Sequence, residues 1–268
     1  MTERHEQFPT APQAVLLLVA LFLLEVLIGL LLRDLNAAMG LNDAALGALD
    51  SVLANGVLLT AVLQYKGIGH RALVHPSAAS PLATFALLLP PLLMVTPALV
   101  LLLGVANDWI MSVLPLSAWE AEAFDAMSAT DPASLITGCL LAPVMEEMLF
   151  RGVVLRGFLA QYPRGQAIAG SAILFGAAHL NIYQFVVAAT IGSLAGWLYE
   201  RTRSLLPGIT LHVAFNSLVS LLGAFDDSAA AAAATADGSA DLATAPVWLL
   251  TLGLGLAGAA WLRRLLLR

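Results

Sequence analysis

Cysteine is nearly absent. Cys139 is the one thiol in 268 residues, so the chain can form no internal disulfide and no cysteine cluster for a metal. Lysine is equally scarce: Lys66 stands against eleven arginines, and the formal net charge is −6. No basic patch is available to neutralise phosphates, which excludes a nucleic-acid partner. Charge of either sign is rare, at 11% of residues, where a soluble domain carries about 25%. Hydrophobic residues take its place, at 60% of the chain with a mean hydropathy of +0.87. This composition excludes a soluble globular enzyme and a disordered chain. The length suits a single integral-membrane domain over 1–268, with no internal repeat.

A membrane helix needs roughly 20 mostly apolar residues. The hydropathy pattern predicts an all-α, polytopic protein of about eight transmembrane helices: Ala14–Leu32, Ala44–Tyr65, Leu82–Ala106, Ala133–Phe158, Gln166–Leu180, Gln184–Tyr199, Leu205–Phe225 and Pro246–Leu262. The first run is too long for a signal peptide and carries Glu25, so it reads as an uncleaved helix. With both termini cytoplasmic, ten of the twelve basic residues fall inside, as the positive-inside rule requires. Acids such as Asp108, Glu120, Asp131 and Asp226 then collect outside. Leu116–Met127 reads either as an amphipathic surface helix or as a solvated acidic loop. Residues 226–245 are Ala-rich and acidic and read as a flexible outer loop. The residues that carry chemistry fall in a core of about 133–225.

Ionisable groups inside a membrane are costly, so each is a functional hypothesis. The fourth run holds Glu146 and Glu147, about 100° apart around a helix. Glu147 and Arg151 are i,i+4 and can pair, leaving Glu146 free to exchange a proton. Pro143, one turn earlier, is placed to kink the helix. The fifth run carries Phe175 and His179 on one face, and the seventh carries His212 and Asn216 on another. At 1.5 Å per residue, Glu146 lies about 18 Å, His179 about 20 Å, Asn216 about 16 Å and His212 about 10 Å from the cytoplasmic helix ends. Groups that merely glued helices together would have no reason to share a level. The set lacks a strong nucleophile: Cys139 has no histidine near it in sequence, and Ser217 sits in no GxSxG or SxxK context. Water is therefore the expected nucleophile, with Glu146 taking its proton, His179 positioning it, and His212 and Asn216 donating to an oxyanion. The same donors suit zinc, with Glu146, His179 and His212 as ligands if one is held. HExxH is absent, so a standard zincin is excluded, while metal and metal-free routes stay open.

Glu25 reads as protonated or cavity-facing. Asp50 and Asn55 read as packing residues of the second helix, and Asn181 as a cap of a short turn or a lining of the site. Gly192 and Gly196 form a small-xxx-small packing stripe.

EExxxR (Glu146, Glu147, Arg151), FxxxH (Phe175, His179) and HxxxN (His212, Asn216), in this order on separate helices, resemble the CPBP family of CAAX-protease and bacteriocin-processing intramembrane endopeptidases, also called Abi. The similarity covers about Ala142 to Leu218. It implies a type II CAAX prenyl endopeptidase-like hydrolase of the cell membrane, of glutamate or metal type. It implies catalytic roles for Glu146, His179, His212 and Asn216, with Glu147, Arg151 and Phe175 in support. The implied partners are the lipid bilayer and a membrane-embedded or lipid-modified peptide or protein. Eukaryotic relatives cut after a prenylated cysteine and prokaryotic ones use diverse substrates, so the substrate does not carry over. A non-catalytic scaffold or immunity protein of the same fold is the alternative. A proton-coupled transporter is a third reading, disfavoured because no inverted repeat is present.

Overall fold

The computed structural model describes residues 7–127, 131–233 and 245–267. The described residues form helices and no strand. In chain order these are α1 (Ala11–Met39), α2 (Asp43–Lys66), the short α3 (His70–Val74), α4 (Pro81–Val113), α5 (Ala118–Met127), α6 (Pro132–Leu159), α7 (Arg164–Ala177), α8 (Ile182–Thr202), α9 (Leu206–Ala233) and α10 (Ala245–Leu266). Among the described residues, α1, α2, α4, α6, α8, α9 and α10 are the seven helices long and apolar enough to cross a membrane. Their outer faces carry leucine, valine and phenylalanine in the open, as at Leu16, Phe22, Leu93 and Leu256. That surface suits lipid and would aggregate in water. The chain is a multi-pass integral membrane protein.

Two expectations need correction. The fifth expected span is α7, which has 14 residues and reaches only about 21 Å at 1.5 Å per residue. It is shorter than the roughly 30 Å hydrocarbon core and is not one of the seven. The expected flexible loop at 226–245 is also wrong at its start. Helix α9 continues through Ala233, because an alanine run is the best helix former available. Residues 234–244, the rest of that stretch, lie outside the described residues. The segment Leu116–Met127 resolves in favour of a helix, α5, capped by Ser117 and Glu120. The Ser117 hydroxyl and amide hold the Glu120 carboxyl below the ordinary carboxylate range.

Local signals set the ends that matter. Asn42 and Asn181 cap α2 and α8 through their side-chain oxygens. Gly40 and Gly67 end α1 and α2 in the left-handed conformation that suits glycine. The main apolar core joins α2, α6, α7 and α8 through Leu58, Leu149, Val153, Phe175 and Tyr199. A second cluster, including Leu92, Leu211 and Leu262, seats α4 against α9 and α10. Helices α7 and α8 form an antiparallel hairpin, and Arg164 at its open end lies 3.2 Å from Glu200. The short α7 therefore carries its far end, with His179, to within the apolar thickness. Helix α1 packs chiefly on α2, and only Ala14 and Leu32 along it are buried.

Candidate active site

The first motif sits in an irregular helix. Two π-helical stretches of α6, Thr137–Leu141 and Met148–Leu155, bracket the α-helical Ala142–Glu147. Such π segments recur at functional sites, because they re-aim side chains and free carbonyls. The expected kink at Pro143 takes this form. In the preceding π turn the Ala142 N–H reaches Thr137 O, five residues back. The next bond in that register would join Pro143 to Gly138, but proline has no N–H. Asn216 supplies the missing donor from α9, with Nδ2 at 2.9 Å from Gly138 O.

Glu147 and Arg151 are buried, at 0% and 1% exposure, with Nη1 2.8 Å from Oε1. His212 Nδ1 approaches the same carboxylate oxygen at 3.3 Å. The Phe175 ring covers the guanidinium at 4.6 Å and meets both histidine rings edge-on, at 5.2 Å for His179 and 5.7 Å for His212. Two glycines make room for this buried pair. A Cβ on Gly192 would lie 2.9 Å from Arg151 Nη2, and one on Gly208 would lie 2.8 Å from Glu147 Oε2. Gly192 thus does more than pack helices. Gly208 precedes His212 by four residues on the same face of α9, a spacing from which it could have been picked out.

Glu147 is thus occupied by Arg151 and His212. Glu146 is not: its side chain is 31% exposed, and it approaches His212 Nε2 at 3.7 Å, beyond hydrogen-bond range. Glu146 and His179 line one cavity of about 650 Å³ between α1, α2, α6 and α7. Its remaining walls are mostly apolar, among them Leu18, Leu149, Phe150 and Leu174. His179 Nδ1 lies 2.9 Å from Phe175 O. A carbonyl only accepts, so Nδ1 carries the hydrogen, and Nε2 of the neutral ring is left as an acceptor. Leu180, the next residue, has a φ of 58°, a strained value for a branched side chain, and turns the chain between the end of α7 at Ala177 and the start of α8.

The structure brings Glu146, Glu147, Arg151, Phe175, His179 and His212 together. It places Asn216 one turn beyond His212 against the α6 backbone, and neither His212 nor Asn216 lines the cavity. Asn181 caps α8 and donates to His179 O at 3.0 Å, which is the turn-capping reading. Cys139 faces Ser220 at 3.4 Å and does not line the cavity. The zinc set does not fit: among the described residues no three of His, Cys, Asp and Glu converge as metal ligands.

The Asn216 contact predicts a measurable coupling. Asn216→Ala should cost about 1 kcal/mol, the usual net contribution of one hydrogen bond. In a Pro143→Ala background the backbone N–H returns, so the same substitution should cost less than half as much. Thermal unfolding of the four proteins in detergent measures this, and additive costs would contradict it.

Residues 128–218 match the family model described as Rce1-like, the type II CAAX prenyl endopeptidase Rce1-like proteins. Glu146, Glu147, Arg151, Phe175, His179, His212 and Asn216 all lie inside the matched segment. The match covers 91 of the 268 residues, and over that segment the chain is similar to a family of endopeptidases; with the seven apolar helices, the similarity implies a protease activity at the membrane. No curated protein and no solved structure matches the chain.

Proposed function

We propose that this chain is an intramembrane endopeptidase that hydrolyses a peptide bond of a membrane-associated peptide or protein, using a water held between Glu146 and His179. The observation that carries the reading is their shared position on one largely apolar cavity while Glu147 is neutralised by Arg151. Water excluded from bulk and set against a carboxylate is a good nucleophile once its proton has somewhere to go. Glu146 takes that proton as the oxygen attacks the carbonyl carbon. His179 Nε2 accepts the water's second hydrogen bond and orients it. His212 Nε2, 3.7 Å from Glu146 Oε2, and the second N–H of Asn216 are the donors assigned to the oxyanion; both lie behind the cavity wall, so the carbonyl oxygen has to point past Glu146 toward α9. As the C–N bond breaks, Glu146 returns its proton to the leaving amine.

The reading extends to the whole of 1–268 as one membrane domain, in the cell membrane, with both termini cytoplasmic; α7 is then the eighth pass, a short one that returns the chain between α6 and α8. The clustering of Arg164 and Arg201 with Glu200 at one end of the bundle supports that orientation. The test is cleavage of quenched fluorescent peptides, prenylated CAAX peptides among them, by the detergent-purified protein. Cleavage by the wild type is expected. A pure protein inert toward every apolar and prenylated peptide would favour a scaffold.

A further inference from the structure

The cavity has a second carboxylate, and the mechanism does not use it. Glu25 reaches the wall from α1, while Glu146 reaches it from α6. Ser51 and Asn55 of α2 complete the polar lining, and no Lys or Arg is part of it. The buried cation nearest in sequence to Glu146 is Arg151, which is bound to Glu147. Arg33, two turns beyond Glu25 on α1, is exposed and does not line the cavity. Gly29, between them on the same face, lets the Asp50 carboxylate come within 3.1 Å of where its Cβ would be, and Asp50 Oδ1 is buried without a partner. Asp50 lies outside the cavity lining and Arg33 acts on it, so Glu25 is the one acid on the α1–α2 wall, and the other walls are apolar apart from Glu146 and His179.

A charged group entering an apolar site is costly unless it is paired there. A substrate carboxylate would find no cation in this cavity, whereas an entering cation would favour the ionised form of the Glu25 carboxyl and pair with it. A substrate ammonium or guanidinium would find Glu25. On the protease reading above, we propose that Glu25 is a specificity-determining residue that selects a basic side chain close to the cleaved bond of an otherwise hydrophobic peptide. A sphere of 650 Å³ is about 11 Å across, and an extended chain advances about 3.3–3.6 Å per residue. The basic residue thus falls within about three positions of the bond that Glu146 and His179 attack. The flanks of the cavity favour the same substrate: Phe22 is 54% and Leu180 80% exposed, and both are apolar. A membrane-borne segment meets these before it meets Glu25.

The experiment uses one hydrophobic, C-terminally amidated peptide series with Lys, norleucine or Glu at each of the three positions on either side of the cleaved bond. A prenylated CAAX peptide with a free carboxylate is run alongside. The wild type is expected to cleave the best Lys peptide with a kcat/KM at least tenfold above its Glu counterpart and above the free-carboxylate peptide. Glu25→Gln, an isosteric change, should bring the Lys-to-Glu ratio near one through KM, and Glu25→Lys should invert it. Equal wild-type rates across the series, or a Lys preference that survives Glu25→Gln, would overturn the inference and leave the protease reading standing. Cleavage of no peptide, or cleavage that persists in Glu146→Gln, would overturn the protease reading and this inference with it.

Discussion

Glu146→Gln should lower kcat by about 10³-fold, within the range a positioned general base supplies, while thermal unfolding in detergent changes little. The two halves of this expectation have separate causes. Glu146 is partly exposed to the cavity and makes no hydrogen bond among the described residues, so an isosteric amide breaks none of them. The amide cannot take a proton from water, so the chemical step fails. His179→Ala should produce a loss of the same order, since Nε2 is held in place by the Nδ1–H bond to Phe175 O. Combining the two should cost little more than either alone, because residues that act on one water are not additive. Peptide turnover with the single and double variants checks this. Independent, multiplying losses would argue that the two side chains serve different steps.

The second large effect falls on stability. Arg151→Met should destabilise the protein by about 3–5 kcal/mol, because it strands the fully buried Glu147 without its cation. Glu147→Gln should cost a similar amount by stranding Arg151, whose guanidinium is otherwise covered only by the Phe175 ring. The double variant carries neither charge and should recover most of the loss, a coupling that a double-mutant cycle in detergent reads directly. Such recovery would show that the pair is held in balance inside the bundle. Additive losses would mean that each side chain is anchored by something other than its partner.

The pairing of Glu147 with Arg151 was legible in the sequence because it depends on helical periodicity. Residues four apart share a face whatever the fold does, so EExxxR, FxxxH and HxxxN could be read as faces before any packing was known. What the sequence could not show depends on neighbours from other helices. Gly208 shares a face with His212 in the sequence, but what it makes room for shows only once Glu147 is seen filling the space of its missing Cβ. Asn216 reads as an oxyanion donor, and its bond to Gly138 O emerges only once α6 is known to be π-helical before Pro143. A π turn leaves no hydrophobic period of its own to detect. The shortness of α7 was hidden because the apolar run continues through Leu180 into α8. The break between the two helices is set by the left-handed turn at Leu180 and the cap at Asn181.

The central claim is that a water between Glu146 and His179 cuts a peptide bond within the membrane. Its most direct test is product identification by mass spectrometry after incubating vesicles that contain the purified protein with a single-span peptide substrate. The account predicts a new amino terminus at an apolar position of the span, formed by the wild type and absent with Glu146→Gln. An intact substrate with the wild type, or the same new terminus with Glu146→Gln, would contradict it.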